Sequence, residues 1–257
     1  MDSIEGKNQV QIILEEILLK YAKDLYTLQE MEQLLSIFEV LYYNLIRRMG
    51  QLVAHHQNSM ARGEGKAEYS ATSTSEFVRY LVLQEVISKP VSELEKSFST
   101  LIMNSTPLLI NDYAFGKGSA INALLVTLSK DGNITKDIRT KLMDVKNPEI
   151  LLTQTPKLAK KEGVTTFTRD LREPTDDDFK CTLGIIGYVY FYLHMEDFFK
   201  SILYRLKECD FLTILPAGSD YGTDISVMII GKVNGEYKAT ISTRDENFLM
   251  SRYYALH

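Results

Sequence analysis

The stretch DISVMIIGKVNGEYKATIST, Asp224 to Thr243, decides how the last third of the chain is read. Two β-rich runs flank Asn234-Gly235, and both of these residues tolerate the positive φ that a two-residue hairpin turn requires. An antiparallel pair over 224–233 and 236–243 is therefore expected. Working outward, FLTILPAG (211–218) reads as a further strand and MEDFFKSILYRLKECD (195–210) as an amphipathic helix. Before them, CTLGIIGYVYFYL (181–193) holds a buried strand rich in Tyr, Gly and β-branched residues.

Strand, helix and three successive strands make an α+β pattern, with a small antiparallel sheet covered by helices on one side. By topology alone this is analogous to profilin-, PAS- and GAF-like domains. We place it at 107–257. Within it, INALLVTLSK (121–130), ending at the turn dipeptide Asp131-Gly132, reads as a strand. Residues 135–162 read as helical, interrupted by Pro148 and Pro156, and 163–178 as a polar connection with a short strand. Asp176-Asp177-Asp178 is expected to cap the next helix, and ENFLMSRYY to form a terminal one.

Residues 1–106 read as a helical region. Val10, Ile13, Leu14, Ile17, Leu18 and Tyr21 recur at helical spacing. Thr27-Leu28-Gln29-Glu30 is a capping box, in which the Thr hydroxyl and the Glu carboxylate satisfy free N–H groups. An apolar stripe runs on through Met31, Leu34, Leu35, Phe38, Leu41, Tyr42, Leu45, Met49 and Leu52. Residues 57–72 lose all periodicity and read as an exposed loop. Ser73 to Glu76 is a second capping box, and Val91, Leu94, Phe98, Leu101 and Ile102 mark a further helix.

Composition narrows the function classes. A net charge of −5 disfavours a nucleic-acid coat, since phosphate binding is driven by Lys and Arg. Nucleic acid stays possible as a partner but is not favoured. Cys181 and Cys209 lack metal-type spacing and are too few for a secreted disulfide framework, so a cytoplasmic setting is expected. The N-terminus MDSIEGKNQ has no leader pattern, and the longest apolar run falls short of the ~20 residues that span a bilayer. No membrane contact is expected.

The sharpest chemical pattern is RRMGQLVAHH (47–56), in which Arg48 and His55 are separated by six residues. Arg, four to six residues, then His is the active-site pattern of HEPN-type ribonucleases, which are all-helical. Arg would stabilise phosphate charge, and His would move the proton of the attacking hydroxyl. On an unbroken helix the two Cα atoms lie ~10.5 Å apart, which favours a solvated helix end instead. Gly116-Lys117-Gly118-Ser119 could cradle an anion on successive backbone N–H groups, although a P-loop would need Gly where Asn111 stands. Asp224 and Glu236 cannot share a metal, because the turn sets them at opposite ends of the hairpin. No metal site is expected and no motif indicates a cofactor.

The sequence therefore reads as a cytosolic, non-enzymatic regulatory or ligand-sensing protein that self-associates through its N-terminal helices and contacts a protein partner. The alternatives are a metal-independent HEPN-like ribonuclease using Arg48 and His55, or a structural subunit of a larger assembly. The breadth of the stripe from Met31 to Leu52 suggests a second copy as its cover. Light scattering at micromolar concentration should then give more than the monomer mass, and a monomer would exclude self-association.

Overall fold

The computed structural model describes residues 9–43, 82–115, 137–152, 160–187, 193–215 and 224–245, with Gly118, Ile121, Leu124, Leu125, Leu128, Thr155 and Leu158 between them. Seven strands form one sheet: β1 (Leu108–Tyr113), β2 (Ile138–Asp144), β3 (Val164–Thr168), β4 (Cys181–Gly187), β5 (Cys209–Leu215), β6 (Asp224–Val233) and β7 (Glu236–Asp245). Their order across the sheet is β3-β2-β1-β4-β5-β6-β7. Strands β1 to β5 are mutually parallel, and the β6–β7 hairpin closes one edge antiparallel.

This corrects the expected α+β fold with a small antiparallel sheet. The protein is a doubly wound α/β structure of Rossmann-like order, in which parallel neighbours are joined by crossovers and both sheet faces are covered. The profilin-, PAS- and GAF-like analogy fails with it. Two segments account for the difference. Ile121, Leu124, Leu125 and Leu128 are helical and buried, so the described residues of the run expected to be a strand are helical instead. Within 135–162, expected to be helical, IRTKLMD is strand β2.

The helices are α1 (Gln9–Tyr21), α2 (Leu28–Leu41), α3 (Glu93–Asn104), the short α4 (Pro148–Leu151) and α5 (Met195–Glu208), with a further helical stretch at 82–88. None among the described residues is long and apolar enough to cross a membrane. Alternation along the strands feeds two cores. Leu108, Ile110, Leu142, Leu183, Ile185, Phe211 and Val227 face α3, the 82–88 stretch and the helical residues after β1. Tyr113, Met143, Ile186, Leu212, Ile214, Met228 and Ile230 face α1, α2 and α5. Strand β4 is buried from Cys181 to Ile186, as a central parallel strand must be, whereas the edge strand β3 is polar and half exposed.

The N-terminal helices therefore share a core with the sheet. Thr27 accepts from the Glu30 N–H while Glu30 accepts from the Thr27 N–H, completing the expected capping box. Met31, Leu34, Phe38 and Leu41 of the stripe are buried within the chain, with the Phe38 and Phe199 rings 4.7 Å apart. Leu45, Met49, Leu52, the loop 57–72, the second capping box and the terminal ENFLMSRYY lie outside the described residues. Asp176 caps a single 3-10 turn, Asp177–Phe179, by accepting from the Asp178 N–H.

Asn234 and Gly235 have φ of 54° and 85°, as a type I′ turn demands. A Cβ added at Gly235 would meet nothing within 4 Å, so Gly235→Val should cost backbone energy alone, about 1–2 kcal/mol. Gly231→Ala should fail differently, because its Cβ would lie 2.2 Å from the Phe211 ring, and overpacking of this kind costs about 1–3 kcal/mol. Urea unfolding should show Gly235→Asn nearly neutral and both other variants destabilised.

Candidate functional site

Because β1 pairs with β2 on one side and β4 on the other, the direction of winding reverses at β1. In open parallel sheets the crevice at the carboxyl ends of the strands beside such a reversal is where ligands bind. The chain that leaves β1 there is Asp112-Tyr113-Ala114-Phe115-Gly116-Lys117-Gly118. It turns sharply. Ala114 has φ of 64° and Gly118 of 73°, both in the left-handed region that glycine enters without strain. The Ala114 and Phe115 N–H groups donate to the Met143 carbonyl at 2.6 and 3.3 Å, and the Gly118 N–H donates to the Phe115 carbonyl at 3.0 Å. A Cβ on Gly118 would lie 2.7 Å from a Leu158 methyl and 3.1 Å from one of Leu152, so only glycine fits this turn.

Strand β2 contributes Asp144 at its carboxyl end, where Oδ1 accepts from the Lys146 N–H at 3.0 Å. Beside it Val145 and Ile150 are 59% and 69% exposed, an unusual degree for large aliphatic side chains. On the other side of β1, strand β4 ends at Gly187, and the chain re-enters helix α5 at His194. His194 is exposed and takes the N-cap position without a side-chain capping bond.

The strand that opens this turn is anchored from below. The buried Tyr113 hydroxyl donates to Glu208 Oε2 at 2.7 Å and accepts from Asn111 Nδ2 at 3.1 Å. Glu208, the last residue of α5, also receives Arg169 Nη2 at 2.8 Å and the Asp176 N–H at 3.0 Å on Oε1. Arg205 Nη2 stands 3.3 Å from the same oxygen and donates to the Glu173 carbonyl at 2.6 Å. Two guanidiniums and one carboxylate are thus buried together. Burial holds the Arg205 guanidinium below its ordinary pKa, with Glu208 opposing, and raises the Tyr113 hydroxyl well above the ordinary phenol range. Arg169 stacks 3.9 Å above the Phe179 ring centroid.

Of the residues singled out in the sequence, Gly118 falls in the crevice turn, while Gly116, Lys117 and Ser119 flank it outside the described residues. Arg48 and His55 also lie outside them. Sequence reading misses Asp144, His194 and the Glu208 cluster. Taking 121–130 as a strand hides the order strand, small-residue turn, helix that would flag the first of these. No group of three or more His, Cys, Asp or Glu among the described residues could hold a metal.

No family model and no curated protein matches the sequence. Solved structures do show similarity. The C-methyltransferase domain of the citrinin polyketide synthase is 13% identical, with a TM-score of 0.35 over 47% of this chain and 34% of that one. CalS10, an amino pentose methyltransferase of Micromonospora echinaspora solved with S-adenosylmethionine, is 10% identical, with a TM-score of 0.35 over 61% and 77%. A methyltransferase of Aquifex aeolicus is 13% identical, with a TM-score of 0.34 over 51% and 68%. The chain spans about a third of the first of these. The fold is accordingly read from the sheet itself. That sheet overturns the sensor reading, which rested on a small antiparallel sheet, and the HEPN reading, which requires an all-helical chain.

Removing one partner from a buried ion cluster leaves the others uncompensated. Glu208→Gln should therefore cost about 3–5 kcal/mol in chemical denaturation. Tyr113→Phe should cost nearer 1 kcal/mol, since Glu208 keeps its charged donors. Equal costs for the two variants would contradict Glu208 as the hub.

Proposed function

We propose that the protein is an enzyme that binds a nucleoside-bearing cofactor in the crevice at the carboxyl ends of β1, β2 and β4. The observation that carries this is the turn after β1. It has small residues at 114, 116 and 118 and left-handed backbone at the first and last, at the point where the sheet's winding reverses. Such a turn lets a ligand come close to the backbone where larger side chains would exclude it. The anion-cradling role read for Gly116, Lys117, Gly118 and Ser119 is part of the same reading, with a cofactor carboxylate as the anion. Asp144 stands where an acidic side chain accepts from ribose hydroxyls, 26 residues after Gly118. Val145 and Ile150 offer an apolar surface for a base.

The residues also favour one kind of nucleoside. The pyrophosphate fingerprint needs a third glycine three residues after its second, and Ile121 stands there, wholly buried. The P-loop needs a hydroxyl directly after its lysine, and Gly118 stands there. Both phosphate-carrying patterns are broken. An adenosine cofactor without a pyrophosphate, of the S-adenosylmethionine class, fits the chain that remains. Such a cofactor supplies an electrophilic methyl group on a sulfonium, and the reaction class is methyl transfer to a nucleophile. Gly118 and Asp144 hold and orient the cofactor. His194, exposed on the segment between β4 and α5, is the candidate for taking the acceptor's proton.

Isothermal titration of the full chain with S-adenosylmethionine, NAD and ATP tests the reading. Binding of the first alone is expected. Asp144→Ala should weaken it by about tenfold or more, the loss of a hydrogen bond to a charged group. Gly118→Val should abolish it, with Gly235→Val as the control for general destabilisation. Binding of NAD or ATP in preference would overturn the cofactor class, and binding of none would overturn the site.

A further inference from the structure

The opposite end of the sheet carries a second reactive arrangement. Cys181 and Cys209 are the first residues of β4 and β5 and are directly paired in register. Their sulfurs stand 3.3 Å apart as free thiols. Parallel neighbours are about 4.8 Å apart, inside the about 4.4–6.8 Å between Cα atoms that a disulfide spans, so the backbone need not move to link them. The close approach depends on Gly184, where an added Cβ would lie 2.3 Å from Cys209 Sγ and 3.2 Å from the Tyr113 ring.

The two thiols differ in access. Cys181 is buried, and burial pushes its thiol pKa well above the ordinary range. Cys209 is partly exposed and lines a cavity of about 490 Å³, with Leu206, Asp210, Phe211, Lys232 and Tyr237 among its walls. That volume admits a small peptide-sized molecule. Cys209 is therefore the more accessible residue of the two, with Cys181 behind it.

We propose that Cys181 and Cys209 form a thiol–disulfide exchange site for a small-molecule disulfide of the glutathione type. Cys209 Sγ, as thiolate, attacks one sulfur of the oxidised reagent. That bond breaks, one reduced thiol leaves with the electron pair, and a mixed disulfide forms on Cys209. Cys181, losing its proton, then attacks Cys209 Sγ and expels the second reduced thiol. The protein loses two protons and two electrons, and one disulfide molecule becomes two thiols. The product joins the amino ends of β4 and β5. This site lies at the amino ends of β4 and β5, away from the cofactor crevice at the carboxyl ends of the same sheet, and Cys209 Sγ stands 3.7 Å from the Tyr113 hydroxyl.

The test is to incubate the full native chain with oxidised glutathione and follow intact mass, with peptide mapping after alkylation. Wild type should lose two hydrogens, retain no adduct, and give a peptide linked between positions 181 and 209. Cys181→Ser should stop at a stable glutathione adduct on Cys209, whereas Cys209→Ser should not react. A lasting adduct on wild type would overturn the proposal. So would linkage that needs denaturant, or a disulfide between two chains. The wild-type measurement stands even if either variant fails to fold.

Discussion

The structure depends on the Glu208 carboxylate. It ends helix α5 and enters β5 at the next residue, yet it also receives Tyr113 from β1 and both Arg169 and the Asp176 N–H from the β3–β4 connection. With its side chain wholly buried, each of those bonds is made in a medium where losing it is expensive. A carboxylate there would be untenable alone. It is held by two guanidiniums, and they in turn are tolerated because Glu208, the carbonyls of Glu173 and Pro174, and the rings of Phe179 and Tyr113 surround them. Replacing such a cluster with apolar groups can leave stability unchanged. What the charged version supplies is position: three segments far apart in sequence meet at one point in one geometry.

That position reaches the crevice through Tyr113. Its hydroxyl is fixed at the buried cluster while its backbone hands the chain to Ala114, where φ becomes positive. An alanine in this conformation is strained, by about 1–2 kcal/mol relative to the right-handed region. The strain persists because both flanks are pinned, by Tyr113 below and by the Met143 carbonyl beside it. A turn pinned in this way has its backbone path fixed by the fold alone. Rigidity at the cluster and preorganisation at the crevice are two ends of one residue.

Much of this is legible residue by residue. The hairpin at Asn234-Gly235, the Thr27 capping box, β4 and α5 arise from turn chemistry, capping and periodicity, which act over a few residues. Parallel pairing leaves no such local mark. Strand β2, with Arg139 and Lys141 on a lightly covered flank of the sheet, has no apolar alternation to reveal it. The run at 121–130 misleads because Val and Ile raise its β character. Its buried positions 121, 124, 125 and 128 nonetheless hold a helical period. Reading that one segment as a helix turns GKGS from a stray glycine turn into the opening of a βαβ unit. Asp144 then becomes a candidate by position alone. Glu208 and Arg169 could not have been found, because 39 residues separate them and nothing in sequence pairs them.

The N-terminal helices acquire their role from a gap in the doubly wound pattern. Each crossover in such a sheet ordinarily lays a helix on one face. Between β3 and β4 this chain has a single 3-10 turn, Asp177–Phe179, and among the described residues after it only α5 covers the same face. The uncovered flank beyond α5 includes Met228, Ile230 and Tyr237 of the hairpin. Helices α1 and α2 fill it. Gln33 Oε1 accepts from the Tyr237 N–H at 2.9 Å, Glu30 pairs with Lys232 at 2.7 Å, and the buried Tyr26 hydroxyl donates to the Leu203 carbonyl at 2.6 Å. The apolar stripe that suggests a surface for a second copy is, from Met31 to Leu41, the cover for this chain's own sheet. An amphipathic helix records that it has a partner, and over Met31 to Leu41 the hairpin and α5 of the same chain supply one.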